Sequence, residues 1–324
     1  CKLLKISSIL SLTHFSLKRN GGNHLRFVKI ENGLVPEQLV EPSKRSKSVR
    51  IFDLGERPPA TPNPNFPFNR ELQTFLSGRI LLLEEIPFPL EEIHRHAENG
   101  YIEYKPGLTQ DKHGFLCYRC GNQQQRLFAS YLCSRCGEEC VYCRKCIMMG
   151  RISQCTPLIY WTGPVPAFSI ENALAWEGVL SPAQAEAAAK IKEAVAEKKD
   201  LLVWAVCGAG KTEMLFEGIA YGLEAGKRIC IATPRTDVVL ELAPRFQKAF
   251  PTVDVAALYG GSEDRHRYAP LTVATTHQLI RFDKAFDVMI IDEVDAFPYT
   301  ADEMLQHAGE KARKQESALI FLTA

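Results

Sequence analysis

The stretch Trp204-Ala-Val-Cys-Gly-Ala-Gly-Lys-Thr-Glu-Met214 decides the fold. It follows the apolar run 201–206, "LLVWAV", and opens a helical pattern that runs from Lys211 to about Gly226. A glycine-rich turn between a buried strand and a helix is a phosphate-binding loop. Gly208 and Gly210 let the backbone curl around Ala209 so that its N–H groups face an anion, and the helix start adds its dipole. Lys211 neutralises the β- and γ-phosphates of ATP, and Thr212 holds Mg²⁺. The first position of the usual pattern is Ala205 rather than glycine.

Further short apolar runs alternate with helical stretches on both sides of this loop. "SPAQAEAAAKIKEAVAEKK" reads as a helix capped by Ser181 with Pro182 at its first position, and Thr236 reads as the cap of a helix reaching toward Phe250. "RICIAT", "VDVAALY", "LTVATT", "FDVMIIDE" and "ALIFLTA" read as strands. This texture predicts an α/β fold, a RecA-like P-loop NTPase lobe with a parallel sheet. The run ending in Asp292-Glu-Val-Asp295 places two carboxylates at a strand end. Asp292 would hold the Mg²⁺ water shell and Glu293 would polarise the attacking water.

With 324 residues the chain is long enough for two compact units. The net charge of +1 excludes a global pull toward polyanions. No apolar run reaches the ~20 residues of a membrane helix, so the chain is expected not to span a membrane. The expected division is a basic, disordered leader with a Pro-rich linker over 1–70, a small N-terminal region with a four-cysteine zinc module over 71–165, and the motor lobe over 166–324. Within the second unit, Leu90, Ile93 and Ala97 fall at helical spacing before Asn99-Gly100.

Eleven cysteines, most within one stretch, suit metal binding better than a disulfide scaffold. Cys117, Cys120, Cys133 and Cys136 form two Cys-x-x-Cys-Gly units, expected to hold Zn²⁺ tetrahedrally, with Gly121 and Gly137 turning the backbone toward the sulfurs. Cys140, Cys143, Cys146 and Cys155 either make a second site or supply a replacement pair. An iron–sulfur cluster is the other metal reading.

The motifs GAGKT, DEVD and the closing LTA resemble motifs I, II and III of superfamily 2 helicases. That resemblance implies that Gln184 reads adenine, although Ser181 and Gln184 also form a capping box. Phe168 and Trp176 are candidates for stacking on adenine, or core residues. "ATPRT" and "ATTHQL" resemble the family's strand-contacting motifs, which makes Thr233, Arg235, Thr275, Thr276 and His277 candidates for phosphate contacts to DNA. The plainer reading of these is ordinary turn and cap chemistry.

The order of a cysteine module, "YWTGP", "LAWEGVLSPAQ" and "VWAVCGAGKTEM" resembles the ComFA family of bacterial competence ATPases. The resemblance implies ATP hydrolysis stimulated by single-stranded DNA, a place at the cytoplasmic face of the membrane, and the uptake channel, ComFC and further copies of the chain as partners. It also implies a second motor lobe beyond Ala324, without which ATP binding and turnover are expected to be poor. A PriA-like helicase, whose cysteines interrupt the motor, and a zinc-ribbon adaptor with an inactive lobe are the alternatives.

Overall fold

In the computed structural model the described residues are 25–30, 33–55, 60–206 and 208–323. The expected basic leader over residues 1–24 lies outside them. Three short strands come first: β1 (Arg26–Ile30), β2 (Gly33–Pro36) and β3 (Val49–Arg50), in an antiparallel sheet ordered β2-β1-β3. The described residues 25–30 and 33–55 thus carry a small sheet where a disordered leader was expected. Among their apolar side chains, Leu25, Phe27 and Ile51 are buried together with Leu72, Tyr104 and Trp161, and Phe27 packs on Tyr104 with ring centroids 5.1 Å apart. The Pro-rich segment is likewise held: the Asn63 N–H donates to Asn99 O at 2.9 Å, and the Tyr101 hydroxyl donates to Asn63 O at 2.8 Å.

Next come α1 (Arg70–Leu76), β4 (Ile80–Leu81), α2 (Leu90–Glu98) and β5 (Ile102–Pro106). The cysteine region is built from β6 (Leu108–Asp111), β7 (Gly114–Cys117), β8 (Phe128–Leu132), β9 (Glu139–Cys143) and β10 (Ile152–Ser153), and it closes with β11 (Pro157–Trp161). β6 and β7 form a hairpin, β8 to β10 a second antiparallel sheet, and β11 pairs between β4 and β5.

The remaining elements are α3 (Pro182–Glu197), β12 (Asp200–Trp204), α4 (Lys211–Glu224), β13 (Ile229–Thr233), α5 (Thr236–Ala249), β14 (Val255–Leu258), β15 (Leu271–Thr275), β16 (Phe286–Ile291), α6 (Glu303–Ala312) and β17 (Arg313–Thr323). All six strands form one parallel sheet in the order β12-β17-β16-β13-β15-β14. Every strand expected from the apolar runs is present. Ser181 caps α3, its hydroxyl accepting from the Gln184 N–H at 3.4 Å. Thr236 is the first residue of α5 rather than its cap, and no side chain caps that helix.

Strand alternation sends successive residues to opposite faces; both faces are buried in the inner strands β16, β13 and β15, whereas Leu202 and Trp204 of edge strand β12 are exposed. Ile229, Ile231, Val273, Val288, Ile290 and Ile320 pack with α3, α4 and α5. Cys230, Ala232, Ala274, Met289, Ile291 and Leu319 pack on the other side, in one cluster with Leu305 and Ala308 of α6 and with Cys117, Cys120, Cys143 and Cys146. A parallel sheet needs cover on both faces. Here the cysteine region supplies part of that cover, so the parallel-sheet lobe and the cysteine region share a core instead of meeting across a loose joint.

Candidate nucleotide site and cysteine clusters

The parallel register fixes where the candidate nucleotide site lies. Trp204 pairs with Thr323, Ile291 with Phe321, Ala232 with Ile291, and Thr233 with Thr275. The carboxyl ends of β12, β16, β13 and β15 therefore lie along one edge, where open α/β sheets bind ligands. The phosphate loop, Asp292-Glu293, Thr233-Pro-Arg235 and Thr275-Thr-His277 all leave the sheet there.

Gly208 and Gly210 have φ of 78° and 70°, in the left-handed region that glycine adopts without a steric penalty. Gly210 precedes α4 with no side chain capping that helix, so its first N–H groups face outward. Gln184 reaches the loop from α3. Its Nε2 donates to the carbonyl oxygen of Ala209 at 2.7 Å, and its Oε1 accepts from the Ser181 N–H at 2.8 Å. The capping role and the nucleotide-side position thus coexist in one side chain.

The Asp292 N–H donates to Ala232 O at 2.8 Å, and its Oδ1 accepts from the Glu293 N–H at 2.9 Å. Burial raises the Asp292 carboxyl above its ordinary range, while the Glu293 N–H and the Lys211 ammonium pull it back down. Glu293 has φ of 53°, which a side-chain-bearing residue adopts at a cost of about 1–2 kcal/mol.

The candidate strand contacts differ among themselves. Arg235 is exposed, with its guanidinium on Asp237 at 3.2 Å, and His277 is half-buried. Thr233, Thr275 and Thr276 are buried, and the hydroxyls of Thr233 and Thr276 have no hydrogen-bond partner. The two aromatic candidates are engaged within the protein. Phe168 stacks on Tyr268 with centroids 5.2 Å apart, and Trp176 meets Phe216 edge-on at 5.4 Å. Phe168 O lies beside Gly226, past the end of α4 opposite to the loop, so Phe168 does not serve the nucleotide site.

The eight clustered cysteines divide differently from their spacing. Cys117, Cys120, Cys143 and Cys146 converge in one group, and Cys133, Cys136, Cys140 and Cys155 in another. Within each group the sulfurs lie within 4.8 Å of one another. The expected quartet Cys117, Cys120, Cys133 and Cys136 is not brought together. Two physical reasons separate its halves. β8 lies between the two Cys-x-x-Cys units and carries the second away from the first by roughly 17 Å of extended chain. β9 then presents Cys140 and Cys143 three residues apart, an odd separation that sends them to opposite faces. Cys140 pairs across from Tyr131 near the end of β8, and Cys143 from Phe128 at its start.

Arg119, between the first two cysteines, is fully buried. None of its three guanidinium nitrogens has a hydrogen-bond partner, and the nearest carboxylate oxygen, on Glu85, lies 3.7 Å away. Beside this group the motor lobe is docked by Lys145 on Asp302 at 3.0 Å, Arg281 on Glu85 at 2.6 Å and Tyr118 on Asp283 at 3.2 Å. No helix among the described residues is long and apolar enough to cross a membrane.

Residues 61–160 match the family described as the Competence protein ComFA N-terminal domain, and residues 177–324 match the family described as Type III restriction enzyme, res subunit. The Competence protein ComFA of Bacillus subtilis (strain 168) is 52% identical over 260 residues, covering 80% of this chain and 56% of that protein. The Competence protein ComFA of Streptococcus pneumoniae (strain ATCC BAA-255 / R6) is 41% identical over 227 residues, covering 70% of this chain and 50% of that protein. The chain spans about half the length of these curated relatives. With a ComFA N-terminal domain joined to a helicase-type ATPase domain, and with this degree of identity, the chain belongs to the ComFA family of competence proteins.

Proposed function

We propose that this chain is the ATP-binding part of a motor that moves single-stranded DNA during uptake of transforming DNA. The observation that carries the reading is the convergence of phosphate loop, paired carboxylates and two basic or polar loops at the carboxyl edge of one sheet. Lys211 would sit against the β- and γ-phosphates of ATP, with backbone N–H groups at the start of α4 around them. Mg²⁺ would be held by Thr212 and Asp292, and supplies charge neutralisation at the phosphate oxygens. Glu293 would accept the proton of the attacking water. Of the candidate strand contacts, Arg235 and His277 present polar groups outward, so the buried threonines would contribute through their backbone and by shaping the loops.

The group Cys117, Cys120, Cys143 and Cys146 fits Zn²⁺. Four thiolates at a Zn–S distance of about 2.3 Å require S···S separations of about 3.8 Å. Cys117 and Cys146 are 3.9 Å apart, and Cys120 and Cys143 are 3.7 Å apart. The resulting −2 charge would add to Glu85 as a counterion for buried Arg119, whose guanidinium nitrogens have no hydrogen-bond partner. This metal would be structural, holding the face of the cysteine region that covers the motor sheet.

The family's membership in competence supports the uptake channel, ComFC and further copies of the chain as partners, and a working place at the cytoplasmic face of the membrane. A chromosomal Lys211→Ala exchange tests the reading. Uptake of labelled DNA into the cytoplasm should fall by at least about a hundredfold, the order of losing one electrostatic catalytic contact. Uptake at the parental level would overturn the motor reading and favour the adaptor.

A further inference from the structure

Cys133, Cys136, Cys140 and Cys155 have no part in the proposed motor and lie away from its sheet, in a cluster of their own. All are free thiols. Cys136 and Cys140 sulfurs are 3.4 Å apart, and those of Cys140 and Cys155 are 3.6 Å apart. These distances are far beyond the ~2.05 Å of a disulfide and close to the ~3.8 Å edge of a tetrahedral Zn–thiolate site. The first pair sits on a turn built like that of Cys117 and Cys120: the Gly137 N–H donates to Cys133 O at 2.8 Å, and the Gly121 N–H donates to Cys117 O at 2.8 Å. Both glycines have φ of 70°.

The surroundings give this cluster a distinct task. Each chain segment that brings a sulfur is gripped by the N-terminal sheet β1–β3 or its flanks. The Leu25 N–H donates to the carbonyl oxygen of Cys155 at 3.1 Å, and the Phe52 N–H donates to Gln154 O at 3.3 Å. Arg50 donates to Cys140 Sγ at 3.9 Å and to Glu139 O at 3.3 Å. Arg135, inside the Cys133–Cys136 turn, is paired with Glu37 at 3.2 Å. Arg50 is also paired with Asp53 at 2.7 Å and Glu138 at 3.5 Å, and Arg151 lies over the Tyr131 and Tyr142 rings at 4.9 and 5.5 Å.

We infer that Cys133, Cys136, Cys140 and Cys155 form a second site for a thiophilic divalent cation of the zinc class, and that its occupancy holds the sheet β1–β3 in place. Binding replaces four S–H bonds with four metal–sulfur bonds and releases the protons to solvent. The two sites then divide their work across β9. The Cys143 side secures the cysteine region to the motor sheet, and the Cys140 side secures it to residues 25–55. A sheet whose strands are only 5, 4 and 2 residues long has little core of its own, and strand pairs of that size are marginal without an added constraint.

The test is metal content of the purified chain by elemental mass spectrometry, together with hydrogen exchange of the amides in 26–36. Wild type should hold two equivalents of zinc, Cys155→Ser one, Cys143→Ser one, and the Cys143→Ser/Cys155→Ser double variant none. In Cys155→Ser the amides of β1 and β2 should exchange faster by about tenfold or more, while in Cys143→Ser they should stay protected. If the variants fold poorly, graded removal of zinc from wild type with a chelator replaces them: release should come in two steps, one of which alone exposes 26–36. One equivalent in wild type, or Cys155→Ser retaining two, would overturn the site. Loss of the second equivalent with unchanged exchange in 26–36 would overturn its role.

Discussion

Gln184 and Ala209 are joined by a single hydrogen bond of 2.7 Å from the side-chain amide of α3 to a carbonyl of the phosphate loop. The same amide caps α3 through its oxygen, so helix start and loop shape are mechanically one object. Replacing Gln184 by Glu separates the two functions. The carboxylate still accepts from Ser181 N–H but cannot donate to Ala209, and it sets like partial charges face to face. We expect thermal stability to change by no more than about 1 kcal/mol, while affinity for a fluorescent ATP analogue falls several-fold. Unchanged affinity would show that the loop holds its shape without this tether.

Gly121 and Gly137 share a φ of 70° but not their surroundings. A Cβ on Gly121 would lie 2.5 Å from His307 Cγ, whereas one on Gly137 meets nothing within 4 Å. Gly137→Ala should therefore cost only the left-handed backbone penalty, about 1–2 kcal/mol. Gly121→Ala should add an overpacking cost of about 1–3 kcal/mol and loosen the contact between the cysteine region and α6. Denaturant titrations of the two variants side by side measure the difference, and equal losses would count against a rigid interface.

His266 stacks on Phe75 with centroids 5.2 Å apart, across the junction between the N-terminal region and the motor lobe. Burial, then Arg265 and Arg79, lower its pKa, and burial followed by Lys311 does the same for His307. The native state thus binds fewer protons than the unfolded chain once the pH falls below the unfolded value of about 6.5. Stability should hold above that point and decline as the pH drops below it, by up to ~1.4 kcal/mol per pH unit for each imidazole. His266→Phe keeps the stack and should flatten part of that decline. A parallel acid limb in the variant would remove His266 from the account.

The strands of the motor lobe are legible in the sequence because a sheet covered on both faces needs continuous apolar runs such as "VMII" and "ALIF". The turn between β12 and α4 is legible because glycines at 208 and 210, after an apolar run and before a helical pattern, leave few other backbone paths. The cysteine partition is not, since the spacing of Cys117, Cys120, Cys133 and Cys136 is compatible with one site until β8 is known to stand between the pairs. One local signal was available: Cys140 and Cys143, at odd spacing in a strand-like run, face opposite sides. Residues 25–55 read as a leader because their apolar residues fall in short pieces broken by Gly33, Pro36, Pro42 and the basic run 44–50, with no sustained period. Their burial depends on Tyr104 and Trp161, far along the chain. The surroundings of the aromatic and threonine candidates are hidden for the same reason: nothing local shows that Tyr268 stacks on Phe168, or that the hydroxyls of Thr233 and Thr276 are buried.

Glu293 combines a proposed chemical role with a strained backbone, and the two can be tested against each other. Its φ of 53° lies where glycine is at ease and other residues are not. Its neighbour Asp292 is fixed from both sides, by Ala232 O and by the Glu293 N–H itself, so the turn is imposed by the end of β16 rather than chosen by the glutamate. Glu293→Gly should then leave the turn in place and relieve about 1 kcal/mol of strain, less the entropy that glycine adds to the unfolded chain. The expected outcome is a chain at least as stable as wild type that still binds ATP but no longer supports uptake of labelled DNA in the cell. Glu293→Gln should match it in the uptake assay without the gain in stability. A Glu293→Gly chain that is markedly less stable would mean that the carboxylate makes a structural contact that offsets the strain. Parental DNA uptake in Glu293→Gln would mean that another group accepts the proton.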